Sequence, residues 1–257
     1  MIIFNRNCKF IIAQLKTLIS KRMYQSLQQF AEGQVILIDK PIGWTSFDIV
    51  RKIRNLIKVK KVGHAGTLDP LATGLLIVCT GKFTKQINNY MGMEKEYIGT
   101  FTLGSTTPSY DLETEPINFK ETNHLTDDVI KSATLQFTGD ILQMPPQHSA
   151  IKKDGKPLYL SARQGIEVKV DARPVTIKEF TITDISLPLV HFKVICSTGT
   201  YIRSLANDFG AALGVGGYMS SLCRTKIGTF KNQEAISIDD FENEMKILRG
   251  QLNSNQL

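Results

Sequence analysis

Residues Lys61 to Gly81 read KVGHAGTLDPLATGLLIVCTG. A single carboxylate, Asp69, stands between Leu68 and Pro70, with Gly63, Gly66 and Gly74 around it and a run without charge behind it. The segment GLLIVCT is short, uninterrupted and apolar, which predicts a buried strand, and the Gly- and Pro-rich residues before it predict a loop. Two readings of Asp69 stay open on these residues. The carboxylate can accept backbone N–H groups and hold a turn. Alternatively, the glycines let a ligand approach the backbone, Pro70 stiffens the turn and the strand fixes the side chain, so that Asp69 serves as a nucleophile once a cation keeps it ionised.

On the N-terminal side, QVILIDKP predicts a short strand stopped by Pro41. TSFDIVRKIRNLIK predicts a helix capped by Thr45 or Ser46, with Phe47, Val50, Ile53 and Ile57 recurring on one face. On the C-terminal side, alternation in EYIGTFTLG places Tyr97, Gly99, Phe101 and Leu103 on one face of a strand. A polar stretch from Gly104 to about Thr126 reads as surface loop. DDVIKSATLQF predicts a helix with Ile130, Ala133, Thr134 and Phe137 inward. PVTIKEFTITDISL and VHFKVICST predict paired strands, the second burying Val190, Phe192, Val194 and Cys196. TYIRSLANDFGAAL predicts a helix with Arg203 in its first turn, off the stripe of Ile202, Leu205, Ala206, Phe209 and Leu213. DDFENEMKILRGQLNSNQL predicts a terminal helix with a frayed tail over 251–257. These elements together indicate an α+β fold with a mixed sheet.

The chain has 257 residues and 42% hydrophobic content, enough for one large domain. Cys8, Cys79, Cys196 and Cys223 are scattered singly, which indicates neither a disulfide framework nor a zinc site and suggests a reducing compartment. The net charge of +7 is uneven. Arg51, Lys52, Arg54, Lys58, Lys60 and Lys61 follow one another with no acidic residue among them. Such a cluster reads either as a solvated helix face or as a surface for a polyanion, nucleic acid being the commonest. No apolar run approaches the roughly 20 residues that span a bilayer. Residues 1–33 form a basic extension, read as partly disordered; its first 31 residues hold five basic side chains and no acid, as in a transit peptide or a membrane-surface helix, and Met23 is an alternative start. The Gly-Lys that ends GLLIVCTGK is not a P-loop, because six residues separate Gly74 from Gly81 and Phe83 stands where the hydroxyl belongs. His64 and Asp69 lack a third ligand at metal spacing, the other histidines being His124, His148 and His191, so no metal is expected.

The segment GHAGTLDPLATGLL resembles the signature of the TruB-type tRNA pseudouridine synthases, which isomerise uridine 55 in the T loop of tRNA. LIDKPIGWTS, KEY, MPPQHSAIKKDGKPLYLSARQG and GTYIRSLANDFG match in the family's order, and the likeness runs from about Val35 to Phe230. It implies an α+β catalytic domain over 34–250, built on a mixed, mostly antiparallel central sheet with flanking helices and loops. It also implies that Asp69 is the nucleophile, adding to the base or to ribose C1′, that Arg203 pairs with it, and that Tyr97 stacks on the uracil and takes the proton from C5. His64 would fill the space left by the everted nucleotide, whose flipping costs a few kcal/mol. Gly66, Leu68, Tyr201 and Leu222 would contact the substrate, Leu222 against the base. Lys40, grouped with them, would with Pro41 support the Asp loop rather than react. Arg51, Lys52, Arg54, Lys58, Lys60, Lys61, Lys82, Lys85, Lys152 and Lys153, with Lys156, would contact the RNA backbone. No cofactor is expected, since an isomerisation needs only positioning and charge stabilisation. The implied partner is the T stem-loop of tRNA, the enzyme a cytoplasmic monomer without membrane contact. Only some 27 residues follow Phe230, where many members carry a small RNA-binding domain, so no separate domain and fewer acceptor-stem contacts are expected.

Overall fold

The computed structural model describes Tyr24 and residues 26–149, 151–153, 155–166 and 168–254; residues 1–23, most of the basic extension, and 255–257 of the tail lie outside the described residues. The elements are α1 (Gln28–Glu32), β1 (Val35–Lys40), α2 (Ser46–Ile57), β2 (Val62–Ala65), β3 (Thr73–Thr80), α3 (Ile87–Gly92), β4 (Lys95–Leu103), α4 (Asp127–Ser132) and β5 (Gly139–Gln143). They continue with β6 (Lys152–Lys153), β7 (Lys156–Pro157), α5 (Leu158–Ala162), β8 (Arg173–Ser186), β9 (Leu189–Cys196), α6 (Ile202–Ala212), β10 (Gly217–Ile227), β11 (Phe230–Lys231), β12 (Ile236–Ser237) and α7 (Ile238–Ser254).

One sheet organises the chain, in the order β12-β1-β3-β10-β4-β9-β8-β5, with β2 on β3 and β11 on β10. Most neighbours are antiparallel; β12 on β1 and β10 on β3 are parallel. The α+β class and the mixed, mostly antiparallel sheet are therefore as expected. One core packs α6 and the Asp69 loop against β4, β8, β9 and β10, through Phe101, Phe192, Phe209 and Leu222. A second packs α2 and α7 against β1 and β3. Tyr24 and Phe30, both within the stretch read as extension, are buried there against Phe241.

Helix α2 starts where its cap dictates. The Thr45 hydroxyl accepts from the Asp48 N–H at 3.0 Å, and the Asp48 carboxylate accepts from the Thr45 N–H at 3.1 Å, a capping box. Its inward face is Ile49, Val50, Ile53, Leu56 and Ile57, each contributing roughly 1.5–3 kcal/mol by burial. Phe47, expected on that face, is 60% exposed, because Ser46 takes the inward position of the first turn.

Two other expectations are corrected, and one strand is added. Strand β10 was not foreseen, although it lies in the middle of the sheet; two register irregularities, at Met219/Ser221 and Arg224/Lys226, break the alternation that would mark it. The stretch 104–126 is not simply surface loop: Thr106 bridges Ile117, and Ser105, Thr107, Ser109 and Asp111 are buried. The helix read across 127–137 ends at Ser132, and Leu135–Phe137 form a separate 3₁₀ turn.

Candidate active site

The loop between β2 and β3 carries Asp69, and each backbone carbonyl from Gly66 to Pro70 has a donor. Arg224 donates to the carbonyls of Gly66 at 3.1 Å and Thr67 at 3.4 Å. The Ser46 hydroxyl donates to the Leu68 carbonyl at 3.2 Å and accepts from the Leu68 N–H at 2.9 Å. The Ala72 N–H reaches the Asp69 carbonyl at 3.1 Å. The Pro70 carbonyl accepts from the Gly43 N–H at 2.8 Å and from Lys40 at 3.3 Å. A backbone pinned at every residue holds its side chain in one place. The turn is thus held by its backbone carbonyls rather than by the Asp69 carboxylate, which is left over.

That carboxylate faces Arg203, in the first turn of α6. Nη2 of Arg203 donates to Oδ1 of Asp69 at 3.0 Å, and Nε lies 2.9 Å from Oδ2 in an ion-pair contact off the N–H axis. The Arg203 side chain is 4% exposed and that of Asp69 33%, so the pair opens to solvent on the carboxylate side. The same guanidinium reaches the carbonyls of Ser109 at 3.3 Å and His148 at 2.9 Å, and Asp111 stands 3.6 Å from Nη1. Burial raises the Asp69 carboxyl above the ordinary range; Arg203 opposes this, and Asp111 and Glu113 add to it. Arg203 is thus no surface side chain. It fixes two loops and the carboxylate at once.

A cavity of about 280 Å³ opens at this pair. Gly66, Thr67, Leu68 and Asp69 form one wall, and Ser197 to Arg203 another. Tyr97, Lys95, Leu222 and Arg224 line it from β4 and β10, Met91 from α3. Tyr97 is 8% exposed, and burial keeps its phenol protonated, with Arg224 pulling the other way. Gln143 secures Tyr201 from both sides, accepting from its N–H at 2.7 Å and donating to its carbonyl at 3.0 Å. Of the residues expected at the site, Asp69, Tyr97, Arg203, Gly66, Leu68, Tyr201 and Leu222 line one cavity. Two do not. His64, on β2, is absent from the lining; its Nδ1 is buried with no hydrogen-bond partner among the described residues, and burial, with Arg224, holds its pKa below the usual value against an opposing backbone hydrogen bond at Gly66. Lys40 is fully buried outside that lining, its ammonium donating to the carbonyls of Trp44 at 2.7 Å and Pro41 at 2.9 Å as well as Pro70.

The sequence reading missed three residues here. Arg224 and Lys95 each stand two positions from an expected site residue, Leu222 and Tyr97, so alternation would have placed both on the inner face. A charge on the inner face of a strand was the available signal. Asp111 offered none, lying in a polar stretch beside Glu113 and Glu115.

The expected RNA contacts divide. Arg51 pairs with Asp48 at 2.7 Å, Lys52 with Glu242 at 2.7 Å, and Arg54 donates to the Val62 carbonyl at 3.3 Å. Lys58, Lys60, Lys61, Lys82 and Lys85 are exposed where β2 begins and β3 ends. Lys153 donates to the Lys169 carbonyl, and Lys152 belongs to the small β6–β7 hairpin.

Two family models match the chain: TruB family pseudouridylate synthase (N terminal domain) over residues 54–202, and tRNA pseudouridylate synthase B C-terminal domain over residues 203–257. The second stretch supplies nearly all of α6, and β10, which lies inside the large sheet. The chain is 52% identical over 226 residues to tRNA pseudouridine synthase B of Flavobacterium johnsoniae, covering 85% of this chain and 99% of that one. It is 46% identical over 218 residues to the protein of the same name from Phocaeicola vulgatus, covering 82% and 93%. Among solved structures, it resembles a chain in the crystal structure of a Cbf5-Nop10-Gar1 complex, with a TM-score of 0.66 and 30% identity, covering 84% of this chain and 56% of that one. A chain in the structure of an H/ACA RNP bound to a substrate RNA containing 2'-deoxyuridine gives a TM-score of 0.64 at 28% identity, covering 84% and 55%. The chain therefore spans little more than half the length of those solved chains.

Proposed function

The chain belongs to the TruB family of pseudouridylate synthases, and from that premise we propose that it converts uridine 55 in the T loop of tRNA to pseudouridine, with Asp69 as nucleophile. The observation that carries this reading is the Asp69–Arg203 pair, its carboxylate open to a cavity lined by Tyr97. Arg203 keeps Asp69 ionised against the pull of burial and aims it. The flipped uridine enters against Tyr97 and Leu222, whose faces accept a planar base. Asp69 adds at the base or at C1′, the ring detaches, turns, and rejoins through C5. Tyr97, neutral in the resting site, stacks first; the neighbouring guanidinium of Arg224 favours the phenolate that would take the C5 proton.

Affinity comes from phosphate contacts, and we assign most of it to Lys58, Lys60, Lys61, Lys82 and Lys85, which pair with no carboxylate among the described residues. Arg51, Lys52 and Arg54 shape α2 and its surroundings more than they bind RNA. His64, at the edge of the same loop, is kept neutral to fill the gap left in the T loop. The catalytic unit over 34–250 acts as a monomer in a reducing cytoplasm, a reading supported by the free thiols of Cys79, Cys196 and Cys223.

The test is release of tritium from C5-labelled uridine in a T-stem-loop RNA. Wild-type protein releases it, and Asp69→Asn stops release while RNA affinity stays within a few-fold. Turnover by the Asn variant would overturn the assignment of the nucleophile.

A further inference from the structure

Four charged side chains line the cavity: Asp69, Lys95, Arg203 and Arg224. Asp69 and Asp111 meet the charge of Arg203. Among the described residues, Lys95 and Arg224 make no ion pair; Lys95 is held by backbone carbonyls, and Arg224 by backbone carbonyls and a hydrogen bond with the Tyr97 hydroxyl. Arg224 donates to Leu75 at 2.8 Å besides Gly66 and Thr67. Lys95 donates to Met91 and, at 2.6 Å, to Met93, at the C-terminal end of α3. An ammonium has three hydrogens, so one is left over.

Lys95 is 5% exposed and stands two residues before Tyr97, on the same face of β4 and about 6–7 Å along it. Burial, reinforced by Arg224, pushes its pKa down to about 8. A buried cation without a counter-charge is costly, and an anion brought in by the substrate would offset that cost. The isomerisation makes such an anion inside the cavity. When C1′–N1 breaks, its electron pair leaves with the ring, and the negative charge spreads from N1 to the carbonyl oxygens. Asp69 meets the deficit at the sugar. When C5 bonds to C1′, the pair enters the new bond, C5 loses its proton and N1 gains one. Nothing is oxidised or reduced.

We propose that Lys95, with Arg224 facing it, donates its remaining N–H to a carbonyl oxygen of the uracil and stabilises the charge on the detached ring, as a catalytic residue of the isomerisation. The inference rests on the pseudouridine-forming reading above. The RNA's phosphates are the other anions at hand; a ring stacked on Tyr97 would lie beside Lys95, which lines the same cavity from the same face of β4. Two alternatives give different results: a phosphate contact, and a C-terminal cap for α3 with no part in the reaction.

The test compares Lys95→Met and Lys95→Arg by single-turnover pseudouridine formation in a T-stem-loop RNA, with dissociation constants at two salt concentrations. The expected result is a loss on the order of 10²-fold in single-turnover rate for the Met variant, the size found for removing one donor to a developing anion. Its affinity and salt dependence stay at wild-type values, and Lys95→Arg recovers at least a tenth of the rate. Lys95→Gln, whose amide still reaches the helix carbonyls without a charge, is expected to lose as much and serves if the Met variant does not fold. Wild-type rates in the uncharged variants with only a lowered melting temperature would overturn the proposal in favour of a cap. Weakened binding with a flatter salt slope and an unchanged rate at saturating RNA would overturn it in favour of a phosphate contact. If wild-type protein binds the RNA but forms no pseudouridine, the failure lies with the underlying function.

Discussion

At Asp69, position and charge state are set by different groups. Ser46, Lys40 and Arg224 fix the backbone, whereas Arg203 works on the carboxylate. Burial raises the pKa despite the guanidinium, so the nucleophile protonates at a higher pH than an exposed aspartate, whose ordinary value is about 3.9. The acid limb of kcat/KM is expected at a higher pH than an exposed aspartate would give, and Arg203→Met, lacking the cation, moves it higher still. The same shift bears on stability. A group with a raised folded-state pKa stabilises the fold in its protonated form, and that contribution is lost as pH rises through the folded pKa. At pH 7 the ionised Asp69 thus costs stability, and Asp69→Asn is expected to unfold at a urea concentration no lower than wild type. A clear drop in that midpoint would contradict the raised pKa. Asp69 was legible because Gly66, Pro70 and Gly74 surround it. Asp111 was not, because its meaning depends on a guanidinium 92 positions away in the chain.

Strands β3 and β10 form the parallel junction beneath the loop, pairing Thr73 with Cys223 and Gly74 with Arg224. Gly74 has φ 97°, and a Cβ there would lie 2.4 Å from the Arg224 carbonyl oxygen and 2.8 Å from its nitrogen. Backbone cannot yield as a flexible side chain can. Gly74→Ala is expected to cost about 2–4 kcal/mol in urea unfolding, combining a strained φ with a forced separation of strands. It should also lower turnover, since Arg224 holds the Asp69 loop from that junction; unfolding within 0.5 kcal/mol of wild type would show that the two strands can part freely. The junction explains what the sequence left hidden. Strand β3 announces itself through an apolar run, but β10 carries serines, a buried arginine and two irregularities, so its pattern is neither alternating nor continuous. Helix α2 was legible through its cap, and Phe47 was misread because periodicity does not say which residue of a first turn faces inward.

At the scale of the described molecule, the exposed Lys58, Lys60, Lys61, Lys82 and Lys85 gather at one end of β2, while the cavity lies at the other. A tRNA elbow bound there would place phosphates on the lysines and one base in the cavity. Lys61→Gln is expected to weaken T-stem-loop binding and to flatten the slope of log K against log salt by about 0.7–0.9, one phosphate contact. Lys52→Gln should leave that slope unchanged, since its partner is Glu242 on α7. Equal slopes for both variants and wild type would place the phosphates elsewhere. The junction of β3 with β10 has a temporal side as well. A chain leaving the ribosome from its N-terminus exposes the Asp69 loop early, but Arg203 and Arg224 emerge long after it. Pairings so distant along the chain form late and slowly. A nascent polypeptide therefore carries its nucleophile through 134 residues of further synthesis until Arg203 is added, and catalytic competence arrives only after β10 has emerged.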